Sequence, residues 1–298
     1  MYIDRLSEVF STVIAGEQMC LHTSFKTGGP ADVYVKADGI ENIKYALNIL
    51  KEENIPYFII GNGSNILVSD RGIEGAVIEI GSLMNKITVY GRKIYAEAGA
   101  LLSSVAAAAA ENSLSGMEFA SGIPGSIGGA VFMNAGAYDG EVKDIINYAD
   151  VIDRYGNELR LSRDELQLTY RHSSVQETGM IITGAEFELR QGEKSKIREK
   201  MSDFAIKRRD KQPLNFPSAG STFKRPEGYF AGKLIEDAGL KGKKIGGAQV
   251  SEKHAGFIIN TGEATSDDII SLIDCCIQTV YNKFNVKLVP EVRIIGRK

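Results

Sequence analysis

Between Ser121 and Glu141 the chain reads Ser-Gly-Ile-Pro-Gly-Ser-Ile-Gly-Gly-Ala-Val-Phe-Met-Asn-Ala-Gly-Ala-Tyr-Asp-Gly-Glu, with glycine at 122, 125, 128, 129, 136 and 140. Each of these positions can take φ > 0, and each lets the backbone approach a neighbouring group with no Cβ in the way. The interleaved side chains are small or apolar and almost uncharged. Amides in such a segment can turn inward onto anionic or carbonyl oxygens. Taken alone, the run reads more readily as tight turns between buried strands.

A second loop lies 60 residues upstream. The apolar run Tyr57-Phe-Ile-Ile60 reads as a buried strand and leads into Gly61-Asn62-Gly63-Ser64-Asn65. Two glycines and three short polar side chains expose several N–H groups together, which suits a pyrophosphate. A Rossmann fingerprint with Glu79 on a ribose is excluded on two counts. Ile66 stands where a third glycine belongs, and only about ten residues separate Asn65 from the next strand, too few for a helical parallel crossover. Gly72 and Gly75 would also spoil a helix there.

The two loops in this order resemble the flavin-binding domain of the vanillyl-alcohol oxidase type. Seven segments narrow the likeness: Thr27-Gly-Gly-Pro-Ala31, Gly61-Asn-Gly-Ser-Asn65, Gly122-Ile-Pro-Gly-Ser126, Asn134-Ala-Gly-Ala-Tyr138, Tyr170-Arg-His-Ser173, Ala219-Gly-Ser-Thr-Phe-Lys224 and Pro290-Glu-Val-Arg293. From about residue 20 to the C-terminus the chain resembles the UDP-N-acetylenolpyruvoylglucosamine reductases, in their shorter class. The resemblance implies an α+β fold, with an FAD-binding region of two α+β subdomains over 1–206, split near 70–80. A C-terminal α+β substrate domain over 207–298 follows, whose last strand returns to the FAD region. It also implies non-covalent FAD, held by Gly61, Asn62, Gly63, Ser64, Asn65, Gly122, Ile123, Pro124, Gly125, Ser126, Gly128, Asn134, Gly136 and Tyr170. It implies NADPH as co-substrate and UDP-N-acetylglucosamine enolpyruvate as substrate.

Bulk properties agree. At 298 residues with 43% hydrophobic and 24% charged positions, the chain suits a globular protein of two or three domains. A net charge of −3 argues against a general nucleic-acid binder but permits a local basic pocket. Asp4, Arg5, Glu8 and Glu17 exclude a signal peptide over the first twenty residues, and no run approaches a bilayer-spanning length. Cys20, Cys275 and Cys276 read as reduced thiols of a cytoplasmic protein, with no metal site. The expected assembly is a monomer or weak dimer.

Periodicity predicts helices over 40–53, 101–112 and 193–211, and strands over 31–36, 57–60, 75–80, 86–90, 93–97, 147–153, 157–161 and 180–189. The chain ends in a helix opening at Ser266, capped by Thr265 or Ser266, and a final strand over 286–295. The end of the 193–211 helix before Pro213 is the candidate domain boundary.

Three residues carry the expected chemistry. Arg171, in Thr-Tyr-Arg-His-Ser, can grip a carboxylate bidentately at any relevant pH. As an isolated arginine it would read as one half of a surface ion pair. The resemblance implies that it holds the enolpyruvyl carboxylate. Ser221 follows Gly220 in a turn-like setting. By resemblance it is the general acid that protonates C2, and its hydroxyl needs help from nearby charges. Glu291 interrupts the apolar segment Leu-Val-Pro-Glu-Val and can point opposite to Val292. The resemblance places it in the active site, where the alternative is a solvent-facing partner of Arg293. Basic clusters flank Ser221, so Arg209 or Lys211 and Lys224 or Arg225 are candidates for the UDP diphosphate, with Tyr138 a further substrate candidate. His22, His172 and His254 read as structural. Two alternatives stay open, an oxidase of hydroxy acids or alcohols on the same flavin fold and a nucleotide-sensing binding module.

Overall fold

The computed structural model describes residues 2–298 and divides them into two compact units interleaved in sequence. The first holds residues up to Ala15, Val33–Asn62 and Gly75–Lys207. The second holds Gly16–Asp32, Gly63–Glu74 and Arg208–Lys298.

In the first unit the helix Ile40–Glu52 buries Ile43, Leu47 and Leu50 of the helically spaced set Ile40, Ile43, Leu47 and Leu50, leaves Ile40 partly buried, and buries Ala46 and Ile49 beside them. These side chains share a core with Val33 and Val35 of the strand Pro30–Ala37 and with Ala76 and Ile78 of the strand Ile73–Ile80. Each fully buried leucine or isoleucine contributes ~1.5–3 kcal/mol. The strand Tyr57–Ile60 pairs with Ile73–Ile80 in parallel, Tyr57 opposite Ala76 and Ile60 opposite Glu79. This corrects the expectation that the segment is too short for a parallel crossover. The connection carries no helix across the sheet. Its residues from Gly63 belong to the second unit and include the short strand Ile66–Val68.

The first unit also holds a five-stranded antiparallel sheet, in the order Glu158–Ser162, Ile146–Ile152, Ile181–Glu188, Lys93–Glu97 and Ile87–Tyr90. Ile94, Ala96, Ala149, Val151, Ala185 and Phe187 lie in its core, with Leu102, Val105, Ala106 and Ala109 of the helix Leu102–Glu111. Polar residues of the sheet bond one another, Tyr95 to Asp150 at 3.0 Å, Arg160 to Asp150 at 2.8 Å and Lys93 to Glu186 at 2.9 Å. Burial pushes the Glu186 carboxyl up, but hydrogen bonds from Asn147, Lys93, Tyr90 and Tyr148 outweigh it and hold the group down at about 2.

The second unit is organised by the helix Ser266–Phe284. Of the helically spaced residues Ile269, Ile270, Ile273, Ile277, Val280 and Phe284, Ile269, Ile273 and Val280 are buried, Ile270 and Ile277 partly buried and Phe284 exposed, while Leu272 and Cys276 are buried as well. Thr265 and Asp268 close a capping box, as the Thr-Ser-Asp-Asp sequence indicates. A three-stranded antiparallel sheet of Lys244–Ile245, Ala248–Val250 and Ile258–Asn260 shares this core, and so does the helix Ala231–Asp237. None of these short elements has a clear periodic signature. The expected final strand over 286–295 contracts to Arg293–Ile295, which pairs in parallel with Ile66–Val68. Pro290 has no amide to donate, and Asn285 turns left-handed at φ 54°. The intervening residues bond instead to the segment around Thr222.

Candidate active site

Within the first unit the two glycine loops meet. The strand Tyr57–Ile60 delivers Gly61 and Asn62 to the segment 122–126, where Asn62 Nδ2 donates to the Pro124 carbonyl at 2.7 Å. A Cβ at Gly61 would stand 2.2 Å from Ser126 Oγ, so the two chains approach as closely as backbone allows. Residues 125–128 are tied down by Leu102 N to Gly125 O at 2.9 Å, Ile127 N to Ala100 O at 2.8 Å and Gly128 N to Ala98 O at 2.8 Å. Gly128 itself packs on Ala98, where a Cβ would sit 3.1 Å from the alanine methyl. A short helix, Ile127–Phe132, interrupts the glycine run, and Ser126 is its N-cap. Ser126 Oγ is buried and bonds to no protein group. An orphaned buried hydroxyl is costly unless a ligand group meets it.

The other half of the first loop belongs to the second unit. Gly63 is left-handed at φ 59°, and a Cβ there would fall 1.9 Å from the His22 carbonyl oxygen. Ser24 N donates to Gly63 O at 3.1 Å. Ser24 Oγ and Thr27 Oγ1 are likewise buried without a hydrogen-bond partner. Thr27 was visible in the sequence only as part of a resembling segment, and no local pattern marks Ser24. The His22 imidazole sits 2.8 Å from Glu17. In the first unit, the close approach of Gly61 to the segment 122–126 and the orphaned Ser126 hydroxyl fit a phosphate, a group that FAD would present.

The same unit brings Glu291 to the Ser221 segment. Gly220 is left-handed at φ 76°, and Ser221 is exposed. Thr222 N donates to Gly256 O at 2.9 Å, Glu291 N to Thr222 O at 2.8 Å and Lys224 N to Val289 O at 2.8 Å. Val292 is buried in the core and Glu291 half-buried, the alternation expected of an extended segment. Asn65 joins the group, donating from Nδ2 to Glu291 O at 3.3 Å and accepting from Arg293 N at 3.0 Å. His254, two residues from Gly256, accepts from Gly256 N and meets Phe257 edge-on. Burial lowers its pKa from the ordinary 6.5.

Arg171 lies in the first unit and is left-handed at φ 56°. Its guanidinium donates to the Gly136 carbonyl at 3.1 Å and lies 5.0 Å from the Tyr170 ring centroid. Asn134, expected to serve the cofactor, is fully buried. Its amide donates to Glu141 and to Thr169 O and accepts from Lys143 N, so it organises the loop that carries Gly136. Tyr138 stacks on Phe204 at 4.3 Å. Of the expected diphosphate cations, Arg209 and Lys211 stand exposed on the last turn of the helix Lys194–Lys211. Lys224 is half-buried, and Arg225 stacks 4.0 Å over the Phe230 ring. Among the described residues no cluster of His, Cys, Asp and Glu is arranged to hold a metal, and no helix is long and apolar enough to cross a membrane.

Comparison with known proteins assigns both parts of the chain. A family described as FAD binding domain matches residues 31–162. The family described as UDP-N-acetylenolpyruvoylglucosamine reductase, C-terminal domain, matches residues 212–295. A UDP-N-acetylenolpyruvoylglucosamine reductase of Clostridium novyi is 54% identical over 93% of this chain and 90% of its own. The enzyme of that name from Caldanaerobacter subterraneus is 51% identical over 99% and 98%. The crystal structure of UDP-N-acetylenolpyruvylglucosamine reductase from Thermus caldophilus superposes with a TM-score of 0.80 at 32% identity, covering 95% of this chain and 98% of that one.

Proposed function

The chain belongs to the UDP-N-acetylenolpyruvoylglucosamine reductase family, and from that premise we propose which of its residues perform the family's reaction. The fold is α+β with an FAD-binding domain of the vanillyl-alcohol oxidase type. The enzyme is an FAD-dependent oxidoreductase that reduces UDP-N-acetylglucosamine enolpyruvate to UDP-N-acetylmuramate with NADPH, in peptidoglycan precursor synthesis.

When bound, FAD would supply the hydride chemistry between NADPH and C3 of the enolpyruvyl group, the carbon made electrophilic by conjugation with the carboxylate. The protein supplies position and field. Gly61, Asn62, Gly63, Ser64, Asn65 and Ser126 would hold FAD, the orphaned Ser126 hydroxyl being suited to a phosphate oxygen. Arg171 grips the substrate carboxylate and stabilises the negative charge that develops as C3 is reduced. Ser221 then donates its proton to C2, and Glu291 polarises the enolate-like centre. Tyr138 and the cations Arg209, Lys211, Lys224 and Arg225 complete the substrate contacts. Residues 207–298 form the substrate domain and 1–206 the FAD-binding region. The enzyme acts in the cytoplasm as a monomer or weak dimer, without nucleic acid. The free thiols of Cys20, Cys275 and Cys276 support that compartment.

The observation that carries these assignments is the bond from Glu291 N to Thr222 O, which sets the carboxylate residue beside the residue that follows Ser221. Ser221→Ala tests it. The variant should stay yellow and be reduced normally by NADPH, while substrate turnover falls about 10²-fold, the scale of a lost general acid. Unchanged turnover would remove Ser221 from the mechanism.

A further inference from the structure

The short hairpin beside Arg171 contains a turn that its sequence does not favour. Gly136–Ala137 pairs with Gly140–Glu141, leaving Tyr138 and Asp139 as the two turn residues. Both are left-handed, at φ 50° and 62°, the signature of a type I′ turn. That turn is ordinarily built from Asn-Gly, because φ > 0 disfavours a bulky side chain. Asn134 and Arg171 are left-handed as well, at 42° and 56°. Four non-glycine residues in strained conformations thus concentrate in one loop and the arginine it supports. Such strain persists only where surrounding contacts over-determine it.

The contact that holds Tyr138 comes from the helix Lys194–Lys211. Most of this helix is charged, but Ile197, Met201 and Phe204, at i, i+4 and i+7, form an apolar stripe on which Ile197 is buried and Met201 and Phe204 are partly buried against the first unit's core. Glu111 anchors it through Lys194 and Arg198. Phe204 ends that stripe. Its ring lies parallel to that of Tyr138, with centroids 4.3 Å apart and planes 9° off, and the Tyr138 hydroxyl donates to the Phe204 carbonyl at 3.2 Å. The nitrogens of Lys200 and Lys207 approach the Phe204 ring to 5.8 Å each. On the other side of the turn, the Gly136 and Asn134 carbonyls face the Arg171 guanidinium at 3.1 and 3.5 Å.

We propose that Phe204 is a positioning residue for the second half-reaction, in which the reduced enzyme is reoxidised by the enolpyruvyl substrate. Stacked on Tyr138, it fixes the strained turn and thereby the two carbonyls that aim Arg171 at the substrate carboxylate. The inference rests on the role given to Arg171, and it explains why a tyrosine occupies a position better suited to asparagine. Aromatic stacking supplies rigidity beyond area burial. An aim lost by about 1 Å costs on the order of 100-fold in rate.

Two half-reactions separate the proposal from general damage. In the FAD-loaded enzyme, anaerobic stopped flow measures flavin reduction by NADPH and then reoxidation by UDP-N-acetylglucosamine enolpyruvate. Phe204→Ala should leave the first rate unchanged and slow the second by roughly 10- to 100-fold. Phe204→Tyr should restore it, and Phe204→Leu, which keeps apolar contact without the ring, should not. In an Arg171→Ala background, Phe204→Ala should add no further loss, because both act through one guanidinium. Equal slowing of both half-reactions, failure of the tyrosine rescue, or a full additional loss in that background overturns the proposal. A Phe204→Ala enzyme reoxidised at the parental rate overturns it as well, while leaving the role of Arg171 intact. An unimpaired Arg171→Ala enzyme instead overturns the role of Arg171 itself.

Discussion

Replacing Ser126 by alanine should move apo-protein stability and cofactor affinity in opposite directions. The Ser126 side chain is 2% exposed, and its hydroxyl bonds to no protein group. A buried hydroxyl without a partner costs about 1–3 kcal/mol. Alanine removes that penalty and leaves a void no larger than one oxygen. At the lower limit the apo-protein gains about 1 kcal/mol, or ~2–4 °C in Tm for a chain of this size. If the hydroxyl meets an FAD phosphate oxygen, its loss removes a hydrogen bond to a charged group, about 1.5–3 kcal/mol, and FAD affinity falls on the order of 10- to 100-fold. With excess FAD the order of the melting temperatures should therefore reverse, because binding stabilises the parent more than the variant. The assays are thermal denaturation of the deflavinated protein and a fluorescence titration with FAD. A less stable apo-variant that binds FAD with parental affinity would refute the reasoning and make Ser126 an ordinary N-cap.

The second half of the loop makes a sharper steric prediction. Gly63→Ala places a Cβ 1.9 Å from a backbone oxygen in a left-handed residue, whereas Gly91→Ala has the same φ of 59° and nothing within 4 Å. Both substitutions should cost ~1–2 kcal/mol for the backbone conformation, but only Gly63→Ala should lose FAD during gel filtration. Thr265→Ala removes the hydroxyl that accepts from Asp268 N at 3.0 Å. It should cost ~1 kcal/mol by chemical denaturation, with flavin reduction unaltered. Glu111 is held at about 2, below its ordinary 4.5, first by its bond to Lys194 and then by Arg198. Because the depressed pKa belongs to the folded state, the pair stabilises fully above 4.5, and its contribution is lost as pH falls toward about 2. Glu111→Gln should flatten the fall in Tm across that window, and an unchanged slope would show that the exposed pair contributes nothing.

The sequence disclosed what local periodicity controls. The helix at 40–52, the antiparallel strands from 87 to 188 and the capped helix at 266–284 follow from side-chain spacing and from one Thr-x-x-Asp box. It concealed what depends on partners remote in the chain. The strand Tyr57–Ile60 pairs in parallel with Ile73–Ile80, the connection between them carries the strand that pairs with Arg293–Ile295, and no pattern within 61–72 announces a partner more than 200 residues away. The site divides along the same line. Glycine content marked both loops, because a close approach needs a missing Cβ. What approaches Gly61 is Ser126, and what approaches Gly63 is the backbone of His22, and neither pairing has a local signal. The hairpin at 136–141 was hidden for the opposite reason. Its turn lacks the Asn-Gly that local rules require, so a local reading passes over it. A turn that only a stack from another helix explains marks where local preference has yielded to function. Tyr138 violates the turn rule beside the arginine expected to bind the substrate, and that coincidence argues that the strain is retained for the chemistry.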